Sequence, residues 1–316
     1  MPGSSPTKRA PHMSPHPGDE ILMLRALAQA ERGRGLTSPN PMVGALVVKD
    51  GVIIGEGYHA KAGAPHAERV ALIAAGGAAR GAALYVTLEP CVHQGRTPPC
   101  VPALLEAGLR RIVVAVLDPN PRVNGAGVAA LSQAGVEVSV GCLEPEARRL
   151  NRPFFTWVTE RRPFVTLKVA MSLDGKIAGW NRSSRWITGE EARREAHRLR
   201  SESDAVVVGI ATVLQDDPEL TVRLDVPWQR EPLRVVVDSQ ARTPLSARVL
   251  AARSPGRTLI AVTESAPRDQ VGALEDRGAT VLRLPSRDGR VDLTALMAEL
   301  ARREVTTLLL EGGGEL

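Results

Sequence analysis

Aromatic residues are scarce in this chain: three Phe, two Tyr and four Trp among 316 residues. Its cores must therefore rest on Leu, Val, Ala and Ile. Cysteine is scarce too. Three cysteines in a chain of this length make no disulfide framework, which points to the cytoplasm and leaves metal binding or catalysis as their use. No apolar run approaches the ~20 residues that span a bilayer, so a membrane role is not expected. The chain also lacks a Lys/Arg block interleaved with aromatics. Its 40 basic residues exceed its 35 acidic ones by scattered arginines, which suit a solvated surface or a phosphorylated small molecule better than a nucleic-acid groove. Residues 1–18, rich in Pro, Ser and His, have no apolar signal region and read as a disordered extension.

What is present is ordinary for a globular protein, with 43% hydrophobic and 24% charged residues, and the length favours two domains. Asp19 is placed to cap a helix running to about Arg32, with Gly33 stopping it. Val43 to Val48 and Val52 to Tyr58 read as strands joined at Asp50-Gly51, a hairpin signal. A helix from His66 towards Gly76 follows. Then come a strand (Ala83 to Leu88), a helix after Pro99, a strand (Arg111 to Leu117), a helix (Gly127 to Ala134) and a strand (Val136 to Val140). A hairpin followed by alternating helix and strand predicts a three-layer α/β sandwich over residues 19–145. Residues 146–163, with several prolines and charges, read as a linker, and residues 164–316 as a second α/β domain. Its expected strands are Phe164 to Ala170, Ala205 to Val208, Leu233 to Val237, Thr258 to Val262, Thr280 to Leu284 and Thr306 to Leu310.

One constellation carries chemistry. His66-Ala67-Glu68 opens a helix after Pro65, and Glu89-Pro90-Cys91 closes a strand, with Cys100 following after eight residues. One imidazole and two thiolates give zinc three ligands and leave a fourth position for water, as a catalytic site requires. The positive end of the helix after Pro99 favours the thiolates. Glu68, two residues from His66, points beside the metal, where it can take a proton from water and return it to a departing amine. This is the H-x-E … P-C pattern of zinc deaminases. The plainer reading makes His66 a helix-start residue and the cysteines buried hydrophobes. A structural zinc, with His93 as fourth ligand, would leave Glu68 without a role. Cys142 has no partner motif and reads as a core residue.

The eight-residue gap from Cys91 through Val92-His93-Gln94-Gly95-Arg96-Thr97-Pro98-Pro99 to Cys100 departs from the two-residue gap of most nucleotide deaminases. It resembles the deaminase of riboflavin biosynthesis. So do Ser38-Pro39-Asn40-Pro41-Met42-Val43-Gly44 and Asp118-Pro119-Asn120-Pro121-Arg122-Val123-Asn124-Gly125. In the second half the run Lys168 to Ala178, Trp186-Ile187-Thr188, Ala211 to Pro218 and Glu311-Gly312-Gly313-Gly314 are similar to the partner reductase. The likeness runs from about Asp19 to Leu316, in order, and the chain resembles the bifunctional deaminase-reductase family.

The resemblance implies a cytidine-deaminase-like domain followed by a dihydrofolate-reductase-like one. The first would hydrolyse the 2-amino group of 2,5-diamino-6-(5-phosphoribosylamino)pyrimidin-4(3H)-one at zinc. The second would use NADPH to reduce the ribosyl group of the uracil product to ribityl. By motif match, Asn40, His59, Arg96, Asp118 and Asn120 hold the pyrimidine and its substituents, with Arg96 standing where many relatives have Lys. Lys168, as a catalytic residue, and Ser184, Arg200, Leu220, Arg223 and Glu311 match substrate-contacting positions of the reductase. Ala170, Trp186, Thr212, Asp216 and Ser239 match NADPH-contacting ones. Arg200 and Arg223 also suit a ribose 5-phosphate on charge alone, and the glycine run at Gly313 suits close approach to a pyrophosphate. The family's reductase domains commonly pair, so a homo-oligomer is expected. The chain stops at Leu316 where the family continues, so a C-terminally incomplete, impaired reductase is expected. Two competing readings are a nucleoside or tRNA deaminase with an accessory domain, and a zinc-stabilised binding protein without catalysis.

Overall fold

The computed structural model describes residues 16, 18–95, 97–180, 187–226, 228, 230–251, 257–314 and 316. The expected disordered extension therefore lies almost wholly outside the described residues, as do Arg96, Ser184 and Trp186. The chain divides into two compact units between Thr159 and Glu160.

The first unit runs α1 (Asp19–Glu31), β1 (Gly44–Lys49), β2 (Val52–Tyr58), α2 (Ala67–Ala75), β3 (Ala83–Val86), α3 (Cys100–Glu106), β4 (Arg111–Val114), α4 (Ala126–Gln133), β5 (Glu137–Val140), α5 (Glu144–Leu150) and α6 (Arg152–Glu160). Asp50 and Gly51 both have positive φ, 48° and 78°, the type I′ geometry that matches the twist of a two-residue hairpin. The sheet order is β2-β1-β3-β4-β5, antiparallel through β2, β1 and β3 and parallel from β3 to β5. Successive strand residues alternate between its faces. Ala45, Val47, Leu84, Val86, Ile112 and Val114 pack with α2, α3 and α4. Leu46, Val48, Tyr85 and Val113 pack with α1, α5 and α6. The unit is thus three-layered.

Two local expectations change. Asp19 does not cap α1: Gly18 is the N-cap, and the Asp19 carboxylate turns inward to Arg111 at 2.9 and 2.8 Å and to the Tyr85 hydroxyl at 2.7 Å. A buried arginine on β4 outcompetes the helix's own amides for that carboxylate. Gly33 lies beyond the end of α1 and is small for another reason: a Cβ there would meet the His59 carbonyl at 2.7 Å. The stretch read as a linker is also largely helix. Ala147 and Phe154 of α5 and α6 are buried on the α1 side of the sheet, so most of it belongs to the first unit. Pro153 sits in the first turn of α6, where a missing N–H costs nothing, and Pro163 directly precedes β6.

The second unit runs β6 (Phe164–Leu167), α7 (Glu190–Glu202), β7 (Ala205–Gly209), α8 (Ile210–Asp216), β8 (Leu233–Val237), α9 (Arg248–Ala251), β9 (Thr258–Thr263), α10 (Arg268–Asp276), β10 (Thr280–Leu284), β11 (Ser286–Arg287), β12 (Arg290–Val291), α11 (Leu293–Arg302) and β13 (Thr307–Leu310). The sheet order is β10-β9-β8-β7-β13-β6, and every pairing is parallel. Parallel strands buried on both faces read as unbroken apolar runs, as Ala205–Gly209 does; Leu233–Val237 follows it save for the buried Arg234, whose Nε donates to the Thr258 hydroxyl at 2.9 Å. The small β11–β12 hairpin went unread, although Asp288-Gly289 repeats the Asp50-Gly51 signal, because its strands are two residues long and mostly polar. Among the described residues no helix is long and apolar enough to cross a membrane.

Candidate active sites

In the first unit, α2 sits directly on β2 because glycines face it. A Cβ on Gly57 would meet the Ala67 carbonyl at 2.4 Å, and one on Gly55 the Ala71 carbonyl at 2.3 Å. That close approach sets the N-terminus of α2, where His66 is the N-cap and Glu68 lies in the first turn. From the other side, β3 leads through Glu89-Pro90 to Cys91, and Cys100 begins α3. The amide of Cys100 lies 3.1 Å from the Cys91 carbonyl and 3.4 Å from its sulfur, so the first turn of α3 holds Cys91 in place.

His66 Nδ1 lies 3.3 Å from Cys100 Sγ and 3.5 Å from Cys91 Sγ. The ligand atoms of these three residues all fall within 4.8 Å of one another. One nitrogen and two sulfurs converging on a point fit zinc, and the donors are already turned inward. His93 is not in this cluster. Hydrogen bonding from Cys100 and His66 pulls the Cys91 thiol down to about 4 against the effect of burial, while Cys100, as the donor in that pair, is pushed up. Glu68 is outside the ligand cluster but buried, and it hydrogen-bonds Cys100. Burial raises its carboxyl above the ordinary range, with nearby His66 opposing the shift.

Around this centre stand the other expected residues. His59 is buried; its Nδ1 lies 3.2 Å from the Pro65 carbonyl and its Nε2 3.0 Å from Asn40 Nδ2. Burial lowers its pKa, so the ring is neutral, donating to Pro65 and accepting from Asn40. Its ring meets His66 edge-on with centroids 5.5 Å apart. Asp118 and Asn120 lie on one turn, where the Asn120 amide donates to Asp118 Oδ1 at 2.8 Å. Burial, with Glu89 and Cys91 nearby, pushes Asp118 up to about 6 despite that hydrogen bond.

In the sequence Glu89 reads only as a strand end. Its buried carboxylate accepts four backbone amides: Asp118 (3.2 Å) and Gly125 (2.8 Å) on Oε2, Gly127 (2.9 Å) and Val128 (3.2 Å) on Oε1. It thereby ties the Asp118–Gly125 loop to the strand that delivers Cys91. Nothing in the local sequence shows this, because every partner is a main-chain group at least 29 residues away. Cys142 lies in the core.

In the second unit the expected residues gather at the carboxyl ends of parallel strands, where open α/β sheets bind ligands. Lys168 and Ala170 follow β6, Thr212 and Asp216 lie on α8 after β7, Ser239 follows β8, and Glu311 and Gly313 follow β13. Gly312 has φ 119°, and a Cβ there would meet Thr212 Oγ1 at 2.6 Å. The Gly313 amide lies 3.4 Å from the same hydroxyl, so Thr212 and Gly313 adjoin. Ser239 Oγ accepts from the Val291 amide at 3.1 Å, which commits it to the fold. Leu220 has φ 55° and a buried side chain in the core, so only its main chain can face a ligand.

Arg200 and Glu311 are less open than their charges suggest. Nε and Nη2 of Arg200 clamp both Glu311 oxygens at 2.7 Å, and Nη1 donates to the Thr221 carbonyl at 3.1 Å. Against burial, Arg200 first and then Lys168 and His197 hold Glu311 below the usual carboxylate range. Arg223 is exposed, and its Nη1 reaches Glu219 at 2.9 Å. His197, which the sequence reading missed, accepts the Arg223 amide on Nδ1 at 3.2 Å. Burial, then Arg200 and Arg223, depress it to about 4. Its signal was present: residues 197 and 200 share one face of α7.

Comparison with known proteins agrees with both halves. Residues 17–116 match the cytidine and deoxycytidylate deaminase zinc-binding region, and residues 163–316 match the RibD C-terminal domain. The riboflavin biosynthesis protein RibD of Aquifex aeolicus is 48% identical over 295 residues, covering 93% of this chain and 81% of that protein. The chain belongs to the RibD family. RibD of Escherichia coli is 44% identical over 306 residues, with 93% and 82% covered. RibD of Acinetobacter baumannii superposes with a TM-score of 0.84 at 41% identity, over 94% of this chain and 81% of that one. The deaminase/reductase of Thermotoga maritima gives 0.81 at 40% identity, over 93% and 81%. RibD membership makes this a riboflavin-biosynthesis enzyme, with a zinc deaminase domain followed by an NADPH-dependent reductase domain.

Proposed function

We propose that the first unit hydrolyses the 2-amino group of 2,5-diamino-6-(5-phosphoribosylamino)pyrimidin-4(3H)-one. Water is consumed, ammonia leaves, and 5-amino-6-(5-phosphoribosylamino)uracil remains. The second unit would hold NADPH, which when bound would supply hydride for C1′ of the ring-opened ribosylamine; ring opening leaves C1′ doubly bonded to the exocyclic nitrogen and the ring oxygen as the C4′ hydroxyl, and the proton goes to that nitrogen, giving the ribitylamino chain. The observation that carries the first half is the His66–Cys91–Cys100 cluster with a buried carboxyl at Glu68 beside it and outside the ligand set. His66, Cys91 and Cys100 would hold zinc, whose contribution when bound is that of a Lewis acid lowering the pKa of water. Glu68 holds the proton in transit, accepting it as water attacks and returning it to the departing nitrogen. Neutral His59 and Asn40 orient the ring, and Asp118 and Asn120 accept from and donate to its substituents.

In the reductase, Lys168 sits near the Arg200–Glu311 pair and is the candidate proton donor. Arg223, exposed and held by a surface ion pair to Glu219 and a hydrogen bond to the Thr221 hydroxyl, is the better placed cation for a 5-phosphate. Thr212 and Gly313 form one wall for the cofactor phosphates. The same reading makes the substrate a small phosphorylated molecule, the enzyme cytoplasmic, and nucleic acid no partner. Self-association is part of the proposal too, supported by the sheet-edge strand β6, whose Val165 and Leu167 are exposed.

Glu68→Ala tests the first half. Zinc content should stay at the wild-type level while ammonia release from the diaminopyrimidine disappears. Retained release would remove Glu68 from the mechanism, and lost zinc would make it a ligand.

A further inference from the structure

The eight-residue loop between the cysteines has so far only distinguished this site from shorter-gapped ones. It also brings a side chain back to the cluster. Thr97 Oγ1 lies 2.9 Å from His66 Nε2, on the far side of the ring from the sulfurs. His66 Nδ1 faces Cys100 and Cys91. The two ring nitrogens thus have separate partners on opposite sides, one a set of metal donors and one a hydroxyl.

A neutral imidazole carries one proton. If Nδ1 gives its lone pair to a metal, that proton stands on Nε2 and must be donated. Thr97 Oγ1 is at hydrogen-bonding distance to receive it. An acceptor there fixes the ring's rotation about its axis and raises the basicity of the ligating nitrogen. The loop makes Thr97 a firm point. Pro98 disfavours helical backbone at Thr97, and Pro99 does the same at Pro98. Pro99 itself is the extended N-cap of α3 (φ −60°, ψ 150°), so two rigid residues join Thr97 to the ligand Cys100. The Gly95 amide donates to the Thr97 carbonyl at 3.2 Å, which ties the other side of the loop. A two-residue gap has no room for such a return.

We infer that Thr97 is a positioning residue for the metal, accepting the Nε2–H of His66 so that Nδ1 is presented to zinc with Cys91 and Cys100. This rests on the zinc reading of the cluster and adds a residue to it. It also gives the long cysteine gap a function. Thr97 touches neither metal nor substrate in this account. It acts through His66.

The test is zinc affinity of the full chain, measured by competition with a chromophoric chelator, for wild type and for Thr97→Val, Thr97→Ala and Thr97→Ser. Circular dichroism and thermal unfolding of the stripped proteins show which variants fold. Val matches Thr in shape and lacks the hydroxyl, so Thr97→Val should bind zinc about 10- to 100-fold more weakly, the range for loss of an outer-shell partner. Thr97→Ala serves the same purpose should the valine variant misfold. Thr97→Ser restores the acceptor and should return to within about threefold of wild type. Wild-type affinity in a folded Thr97→Val or Thr97→Ala overturns the inference, as does a serine variant no better than valine. A wild-type chain that takes up no zinc overturns the zinc reading itself.

Discussion

Glu89→Gln is the most instructive single change, because it alters one atom of a group that touches no ligand. The carboxylate accepts two amides on each oxygen, and all four lie in or beside the loop that carries Asp118 and Asn120. Glutamine keeps one acceptor oxygen and presents an NH2 to the other two amides. Hydrogen bonds to a charged acceptor contribute about 1.5–3 kcal/mol each, so losing two should cost the loop about 3–6 kcal/mol. The loop has no room to shift further toward the strand, since a Cβ at Gly127 would already stand 2.1 Å from the Pro90 carbonyl. At about 1.4 kcal/mol per tenfold, protection of two of the four amides (Asp118 and Gly125, or Gly127 and Val128) should fall between about a hundredfold and about ten-thousandfold. The assay is native-state hydrogen exchange, with deaminase kinetics alongside. KM for the diaminopyrimidine should rise at least about tenfold with zinc content unchanged. Protection within threefold of wild type, with unchanged KM, would refute the assignment of Glu89 as the tie between loop and cluster.

Asp118, at about 6, should give deaminase binding an acid limb: KM rises as pH falls through 6, and Asp118→Asn flattens that limb while weakening binding. Because its folded pKa is raised, its contribution to stability is full below about pH 4 and lost as pH rises through 6. Asp118→Asn should therefore be more stable than wild type at pH 7 by up to about 2–3 kcal/mol in denaturant unfolding. Glu311→Gln leaves the buried Arg200 charge without its partner and should destabilise the second unit by about 3–5 kcal/mol. The paired change Arg200→Met with Glu311→Leu should recover most of that stability, yet not reductase turnover. As the folded pKa of Glu311 is lowered, the pair's contribution is present above the ordinary carboxylate range and disappears as pH falls below it, which an acid unfolding series measures.

Most strands and the zinc cluster were readable because their signals are local. Asp50-Gly51 names its own turn, the apolar run of β7 reads as a buried strand, and His66-Ala67-Glu68 with Pro90-Cys91 carries ligand spacing in few residues. What was misread depends on partners distant in sequence. Asp19 looks like a cap until Arg111 is brought beside it, 92 residues later. Arg200 looks like a free cation until Glu311 arrives 111 residues on. Glu89 answers main-chain amides, which no composition or motif displays. The stretch before the second unit looked like a linker because prolines and charges mark loops and first helical turns alike.

The account's central claim is that one chain deaminates a phosphoribosylamino-pyrimidine and then reduces its sugar. Incubating the purified zinc-loaded protein with the diaminopyrimidine, with and without NADPH, and weighing the products by mass spectrometry tests it most directly. Without NADPH, the expected product is the uracil with its ribosyl group intact, 1 mass unit heavier as NH is replaced by O (about 15 against 16). With NADPH, a further gain of about 2 mass units marks the ribityl compound. Recovery of the diaminopyrimidine unchanged under both conditions would contradict the claim.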